Sequence, residues 1–327
     1  MSISMSAEGS YAISIPLEGV TLADHEALVR DLPRLGYTAA WSAEANGADA
    51  FTPLALASTW APQIRLGTGI AQVFTRGPGI LAMHIASLCE LAPGRVDIGI
   101  GSSSDVIVES WNGIPFVDPY KRVRDVTLFL RKALTGEKVD QKYDTFEIRG
   151  FRLARPVAVM PKIYIAALRQ GMLRLAGRVG DGAVVNWLSA EDVSKVAEEV
   201  ARGGDGREIV ARIYVIPTPD RDAAMAIGRL IIAWYMNVPV YRQFQEWVGR
   251  GELFKEMWDA WESGDRKAAL AAIPEQAVDE LIVHGTPDEC RAHIQRYVDA
   301  GVTIPIVGLV SSGEDAVRAV RDLAPLG

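Results

Sequence analysis

The chain contains few of the residues from which metal and thiol sites are built. Among its 327 residues there are four histidines and two cysteines, Cys89 and Cys290, which lie far apart in helical patterns. No two histidines are four residues apart on one helix, so a metal site built on them is not expected. We predict that both cysteines are reduced core thiols of a cytosolic protein.

Several common catalytic motifs are also missing. The sequence has no P-loop, no G-x-G-x-x-G after a strand, no H-E-x-x-H and no G-x-S-x-G. Their absence argues against zinc hydrolases, dinucleotide dehydrogenases of the Rossmann type and esterases.

Positive charge and long apolar runs are scarce as well. The net charge is −7, so no overall basic field attracts nucleic acid or a membrane, and an anionic ligand must be held by local groups. No apolar run reaches the roughly 18 residues that span a bilayer. Residues 1–9 lack the cationic region and apolar core of a secretory signal. We therefore expect a cytoplasmic protein whose partners include neither nucleic acid nor membrane.

Strand-like and helix-like segments alternate along the chain with short turns between them. The strand-like segments are Tyr11–Ile15, Thr38–Glu44, Arg65–Ala71, Val96–Gly101, Lys162–Ala167, Ala183–Trp187, Glu208–Ile216 and Ile304–Val310. Eight strands, each followed by a helix, predict an α/β fold of the (β/α)8 TIM-barrel type. A doubly wound open sheet would show the same alternation, but eight units fit closure better. We predict a single domain, 1–327, with two insertions. The one near 137–160 is irregular with short extended pieces such as Phe146–Phe151, and the one near 221–300 is helical.

The strand Val96–Gly101 is the most informative segment, because it runs directly into hydroxyl side chains. Ser102, Ser103 and Ser104 follow its last residue. Barrel enzymes keep their chemistry at the carboxyl ends of their strands, so these serines are candidates for ligand contact. Capping of the next helix together with Asp105 is an equal alternative.

The second and third strands also end in candidate residues. Gly67 and Gly69 interrupt the third strand, which indicates either a bulge with close approach of another group or simple barrel packing. Glu44, at the end of the second strand, is the one carboxylate well placed for proton transfer or cofactor contact. A solvated glutamate is the alternative.

The fifth strand ends in small residues and leads into a helix. Amides at that helix start could hold a phosphate, with Arg169 supplying charge, unless Arg169 is merely solvated. Phe254, Trp258 and Trp261 share one face of a helix in the long insertion. They are expected to pack against the barrel or a second subunit, although this insertion could also wall an apolar substrate pocket.

Together these strand ends resemble the bacterial-luciferase-like flavin and deazaflavin oxidoreductases. The resemblance lies in LGTGIAQVFTRGP of the third strand and in residues 94–113, 161–188 and 285–303. It covers nearly the whole chain. The W-S-A-E-A-N-G segment at Trp41 and YIAALRQGMLRLAG at Tyr164 resemble the branch that uses the deazaflavin coenzyme F-420.

This resemblance implies that the cofactor ring lies in the barrel mouth. It also implies a non-proline cis peptide between Gly69 and Ile70 that supports the ring. Gln72 at the end of the same strand joins the implied cofactor-binding set. So do the serines at 102–104.

Family phosphate binding maps onto Ala166, Ala167, Leu168 and Arg169. Many relatives carry glycines where the two alanines stand, and the alanine methyl groups leave less room for a close approach of a phosphate to the backbone. Some deazaflavin members have an Asp-His pair after the second strand. Here the pair reads Glu44-Ala45, which leaves Glu44 as the only acid–base candidate.

The implied activity is hydride transfer between the deazaflavin and a small organic substrate. The alternatives are an FMN-dependent luciferase-like monooxygenase and a barrel that binds cofactor without catalysis. A homodimer is expected from the resemblance.

Overall fold

A computed structural model describes residues 11–325. The strands of this part of the chain are β1 Ala12–Ser14, β2 Ala39–Ser42, β3 Arg65–Gln72, β4 Val96–Gly101, β5 Val139–Lys142, β6 Glu147–Phe151, β7 Lys162–Ala166, β8 Gly182–Asn186, β9 Glu208–Ile216, β10 Ile282–His284 and β11 Ile304–Leu309. Eight of them, β1 to β4, β7 to β9 and β11, pair in parallel in that order. The ring closes where β11 pairs with β1. The predicted (β/α)8 barrel is therefore confirmed.

Helices connect the barrel strands and form the larger insertion. They are α1 His25–Leu35, α2 Thr52–Trp60, α3 Pro78–Leu91, α4 Pro119–Ala133, α5 Gln170–Val179, α6 Val193–Ala201, α7 Arg221–Met236, α8 Pro239–Val248, α9 Gly251–Glu262, α10 Arg266–Ala271, α11 Glu275–Leu281, α12 Pro287–Asp299 and α13 Gly313–Asp322. A π-helical turn, Val106–Trp111, follows β4.

Strand β4 illustrates how alternation builds the barrel. Val96, Ile98 and Ile100 are buried in the cluster that packs against the outer helices. The residues between them face the lumen, where space is tight. A Cβ on Gly99 would lie 2.2 Å from the carbonyl oxygen of Thr68, so only glycine fits there.

Side chains fill the lower lumen, at the amino ends of the strands. The rings of Trp41 and Tyr164 meet there with centroids 6.1 Å apart. A Cβ on Gly67 would lie 2.3 Å from the indole of Trp41, so this glycine serves packing, one of the two alternatives raised by the sequence. Below the rings, Arg65 donates to both carboxylate oxygens of Asp97 at 2.7 and 2.9 Å. The barrel is a packed core that is closed from below.

The insertions differ in part from the prediction. Near 137–160 the predicted extended piece is strand β6, which pairs with β5 in an antiparallel hairpin that was not predicted. The residues after the hairpin, 152–160, have no regular secondary structure. Near 221–300 the helical region is divided into separate helices, with Pro239, Gly249, Gly264 and Pro274 at the junctions. The short strand β10 inside this region was not predicted, and it extends the sheet beside the end of β9. Apolar periodicity identified the helical character but not these breaks.

Both cysteines are buried and free. Burial raises the pKa of Cys89 and of Cys290 to about 12, which keeps both thiols protonated at neutral pH. Within residues 11–325, no single helix is long and apolar enough to cross a membrane, and one bent pair, α7 with α8, meets the length and composition criteria only when taken together. The prediction that residues 1–9 are not a secretory signal lies outside the described residues.

Candidate functional site at the barrel mouth

Three predicted strand ends converge at the carboxyl end of the barrel. A Cβ on Gly101 would lie 2.8 Å from the Cβ of Ala166 and 3.2 Å from the side chain of Ile70. Glycine at 101 is therefore needed for β3, β4 and β7 to meet. The peptide bond between Gly69 and Ile70 is cis, which confirms the geometry implied by the family resemblance. Unlike Gly67, Gly69 has ordinary space around it, because its Cβ would be 3.5 Å from Trp41.

Glu44 lies beside this floor, and its carboxylate is occupied. One oxygen accepts the backbone N–H of Gln72 at 2.9 Å and pairs with the guanidinium of Arg76. The other oxygen accepts the backbone N–H of Ala50 at 3.1 Å. The side chain of Glu44 is only 9% exposed. These contacts tie the loop after β2 to the end of β3. A proton added to the Glu44 carboxylate would weaken its contact with at least one of these donors. The catalytic role of Glu44 therefore stays a prediction.

Gln72 contributes an unsatisfied acceptor to the same corner. Its side-chain amide nitrogen donates to the carbonyl oxygen of Glu44 at 3.2 Å. Its side-chain oxygen is buried and accepts no hydrogen bond from any described residue. A buried polar atom without a partner is costly, and in native sites it commonly marks the place of a missing ligand or water.

The serines after β4 differ in whether their hydroxyls cap the next helical turn or are free for contact with a ligand. The hydroxyl oxygen of Ser104 accepts the backbone N–H of Ile107 at 3.3 Å, so it caps the turn that follows. Ser102 donates only to the neighbouring carbonyl oxygen of Ser103 at 3.3 Å. Ser103 has a φ of 64°, a left-handed conformation that is uncommon for a non-glycine residue. All three side chains are half-buried, and Ser102 and Ser103 have the freer hydroxyls.

The predicted phosphate segment follows β7. The amide of Ala167 donates to the carbonyl oxygen of Val184 at 3.0 Å and is not free for a ligand. Leu168 is half-buried and Arg169 is exposed, and helix α5 begins directly after them without a side-chain cap. The first-turn amides of a helix have no intrahelical acceptor, so they can bind an anion. The guanidinium of Arg169 donates to the side chain of Gln243 in the insertion.

The opposite wall contains residues that the sequence reasoning missed. Trp187 stacks on Tyr214 with centroids 4.3 Å apart. The amide of Asn186 donates to the hydroxyl of Tyr241 at 3.4 Å. The guanidinium of Arg212 lies 5.3 Å from the ring centre of Tyr214. Arg212 is a charged residue in the middle of an apolar strand, and this pattern could have indicated it.

Burial governs the titration of this wall. It raises the pKa of Tyr214, and the nearby Arg212 cation opposes that rise only in part. Burial likewise raises the pKa of Tyr241, against the hydrogen bond from Asn186. Both phenols are therefore neutral at pH 7 and able to donate.

The aromatic residues predicted to share one face fall within the insertion's own core. Phe254 and Trp258 are buried in a cluster that also includes Trp187 and Tyr214. The indole N–H of Trp258 donates to the carbonyl oxygen of Met236 at 2.9 Å. These aromatics pack behind the wall, and Tyr241 of α8 is the residue that meets Asn186.

Among residues 11–325, the predicted site residues form neither a metal site nor a second cleft. Within residues 11–325, no group of three or more His, Cys, Asp or Glu side chains is arranged to hold a metal ion. An open cleft of about 520 Å³ lies between the insertion and helix α12, and it is lined by Ser189, Glu191, Arg250, Gln276, Asp279, Glu280, His293 and Arg296. None of the predicted site residues lines it.

Comparisons with known proteins identify the family and the fold. Residues 4–303 match the family model described as luciferase-like monooxygenase. The 5,10-methylenetetrahydromethanopterin reductase of Methanolobus tindarius is 28% identical over 275 residues, which cover 80% of this chain and 82% of the relative.

Two solved structures show the same fold. The coenzyme F-420-dependent tetrahydromethanopterin reductase of Methanopyrus kandleri has a TM-score of 0.80 at 23% identity, covering 98% of this chain and 99% of that one. The oxygenating constituent of 3,6-diketocamphane monooxygenase from Pseudomonas putida, in complex with FMN, has a TM-score of 0.66 at 14% identity, covering 97% and 98%.

Proposed function

Because the chain belongs to the luciferase-like monooxygenase family, we propose that it is a coenzyme F-420-dependent oxidoreductase that transfers hydride between the deazaflavin and an organic substrate. The observation that carries the proposal is the floor of the mouth. There Ile70, Gly101 and Ala166 approach one another beside the unpartnered oxygen of Gln72. A flat ring can rest on such a floor, because Gly101 and Ala166 are small, and the Gln72 oxygen offers an acceptor at its edge.

The residues at the mouth fit a deazaflavin nucleotide. The Gln72 side-chain oxygen would accept a hydrogen bond from a ring N–H, and Ser102 and Ser103 offer hydroxyls at the neighbouring strand end. The uncapped first turn of α5, together with Leu168 and Arg169, would hold the phosphate. When bound, the deazaflavin supplies a ring carbon that gives or accepts a hydride.

The protein's own contribution is orientation and exclusion of water. The packed rings of Trp41 and Tyr164 close the lumen below the floor. The contacts of Glu44 with Arg76 and with the amide of Gln72 hold the end of β3 in place. Correct placement of two reacting carbons supplies a large part of the rate in such reactions. We assign Glu44 this positioning role ahead of the catalytic one.

The runner-up is an FMN-dependent monooxygenase, because the Pseudomonas putida structure with FMN has the same fold. Support for the deazaflavin comes from the Methanopyrus kandleri reductase, whose higher TM-score accompanies dependence on coenzyme F-420. The segments at Trp41 and Tyr164 that resemble the F-420 branch add to this support.

A titration of the purified apoprotein with each cofactor tests the proposal. We expect coenzyme F-420 to bind with quenching of fluorescence and FMN to bind at least about tenfold more weakly. Arg169→Ala should weaken F-420 binding about tenfold with unchanged circular dichroism, because one charge-assisted contact to phosphate is lost. Arg178→Ala is the control, since it removes an arginine from the last turn of the same helix.

Tight FMN binding without F-420 binding would overturn the assignment in favour of the monooxygenase. Unchanged affinity in Arg169→Ala would remove that residue from the phosphate site. Tight F-420 binding with no turnover of any alcohol, aldehyde or unsaturated substrate would favour the non-catalytic alternative.

Other features stay predictions. The predictions of a single domain and of a cytoplasmic location rest on the sequence. A homodimer is supported by exposed apolar side chains on helix α3, namely Ile80, Met83 and Leu91. Light scattering at micromolar concentration would measure the mass directly.

A further inference from the structure

Arg212 in β9 is a charged side chain inside the barrel that the proposed function does not use. Val210 lies in the lumen cluster of the barrel, and alternation places Arg212 and Tyr214 on the same inward face. Space for the arginine comes from β11, because a Cβ on Gly308 would lie 3.0 Å from its Nε. Arg212 is level with Asn186 of β8, the last residue of that strand. Its guanidinium therefore lies at the mouth.

This cation has no anionic partner among residues 11–325. Its Nε is buried and donates no hydrogen bond there. Three other sheltered arginines are paired with carboxylates: Arg65 with Asp97, Arg76 with Glu44 and Arg250 with Asp192. The half-buried Arg95 and Arg122 have no carboxylate but donate to backbone carbonyl oxygens. A half-buried guanidinium without an acceptor is costly unless a ligand satisfies it.

The groups around Arg212 are donors as well. The hydroxyl of Tyr214 and the indole N–H of Trp187 are buried without partners in the described chain. The amide of Asn186 donates towards Tyr241. A cluster of donors with one positive charge and no carboxylate is complementary to an anion.

The position of Arg212 on the barrel rim favours contact with the substrate over contact with the cofactor. In the closed ring of eight strands, β9 is four places from β3, so the two lie on opposite sides of the mouth. A ring resting on Gly69 and Ile70 of β3 would present its other face to β9. Arg212 thus lies where the second reactant must enter.

We propose that Arg212 binds an acidic group of the substrate, a carboxylate or a phosphate, while the Trp187–Tyr214 stack contacts the organic part next to it. This inference rests on the proposed function, and it narrows the substrate to an organic acid or phosphate ester.

The test uses benzoate, phenyl phosphate and the neutral benzyl alcohol as probes. Each is titrated into the whole protein, with and without coenzyme F-420, while tryptophan fluorescence is recorded. We expect at least one of the two anions to bind about tenfold more tightly than benzyl alcohol, and the two arms distinguish carboxylate from phosphate. Arg212→Gln should abolish this preference, and Arg212→Lys should restore part of it. Arg266→Gln is the control, because that guanidinium lies 3.8 Å from the ring centre of Trp261 on the insertion.

Equal binding of the anions and benzyl alcohol by the wild-type protein would overturn the proposal, as would anion preference retained in Arg212→Gln. A tenfold loss of F-420 affinity in Arg212→Gln would also overturn it, because the cation would then serve the cofactor. Failure of the wild-type protein to bind F-420 defeats only the proposed function. The anion titration without cofactor still decides the role of Arg212.

Discussion

Gly67 and Gly69 differ in the space around them, so we expect the same substitution to destabilise the protein at Gly67 and to have little effect at Gly69. In Gly67→Ala the new methyl carbon would lie 2.3 Å from Trp41, more than 1 Å inside the roughly 3.5 Å of a normal carbon contact. The indole cannot simply withdraw, because it is buried and packs against Tyr164. Overpacking of this kind costs about 1–3 kcal/mol. Replacing glycine by alanine also lowers the conformational entropy of the unfolded chain, which returns only about 0.4–1 kcal/mol. We therefore expect a net loss of stability for Gly67→Ala.

Urea unfolding of the apoprotein measures this difference. Gly69→Ala is the matched control two residues away, since its methyl group would be 3.5 Å from the nearest atom and should leave the midpoint nearly unchanged. Adding Trp41→Phe to Gly67→Ala should recover part of the loss, because the smaller ring leaves room for the methyl group. Equal midpoints for the two alanine variants, or no recovery in the double variant, would refute the packing argument.

Two further predictions concern charged groups. We expect Glu44→Gln and Arg76→Met to destabilise the protein non-additively, with a coupling energy of about 1–3 kcal/mol in a double-mutant cycle of urea unfolding. Additive effects would contradict the positioning role of Glu44 and leave its carboxylate available for proton transfer. Partial desolvation beside Arg76 lowers the pKa of His84, which lies at the surface, and burial lowers the pKa of His293, so the neutral ring of each is favoured in the fold. Their stabilising contribution is present above the ordinary histidine pKa near 6.5 and is lost as the pH falls through it. The urea midpoint should be lower at pH 5.5 than at pH 7.5, and the difference should be smaller in His84→Gln and His293→Gln. A higher midpoint at pH 5.5 would contradict the predicted direction of the pKa shifts.

The sequence was sufficient to predict the barrel and the positions of its strand ends. The alternation in segments such as Val96–Gly101 has a period of two residues, which a single strand displays without knowledge of its neighbours. Because all parallel strands end at one rim, the candidates Ile70, Ser102 and Ala166 could be assigned to one mouth. The resemblance added the cis bond after Gly69, which no local pattern predicts.

The tertiary structure decided which of these residues have partners. Glu44 accepts from Gln72 and Arg76, 28 and 32 residues away, and only the register of β2 against β3 brings them together. The closed ring of strands also leaves Arg212 without a carboxylate partner among the described residues. In the sequence, the only sign of this is a charged residue within the apolar strand β9. A sequence pattern records the face on which a side chain lies, whereas pairing depends on strands brought together by the closed ring. For that physical reason the mouth could be located from the sequence, but its chemistry could not.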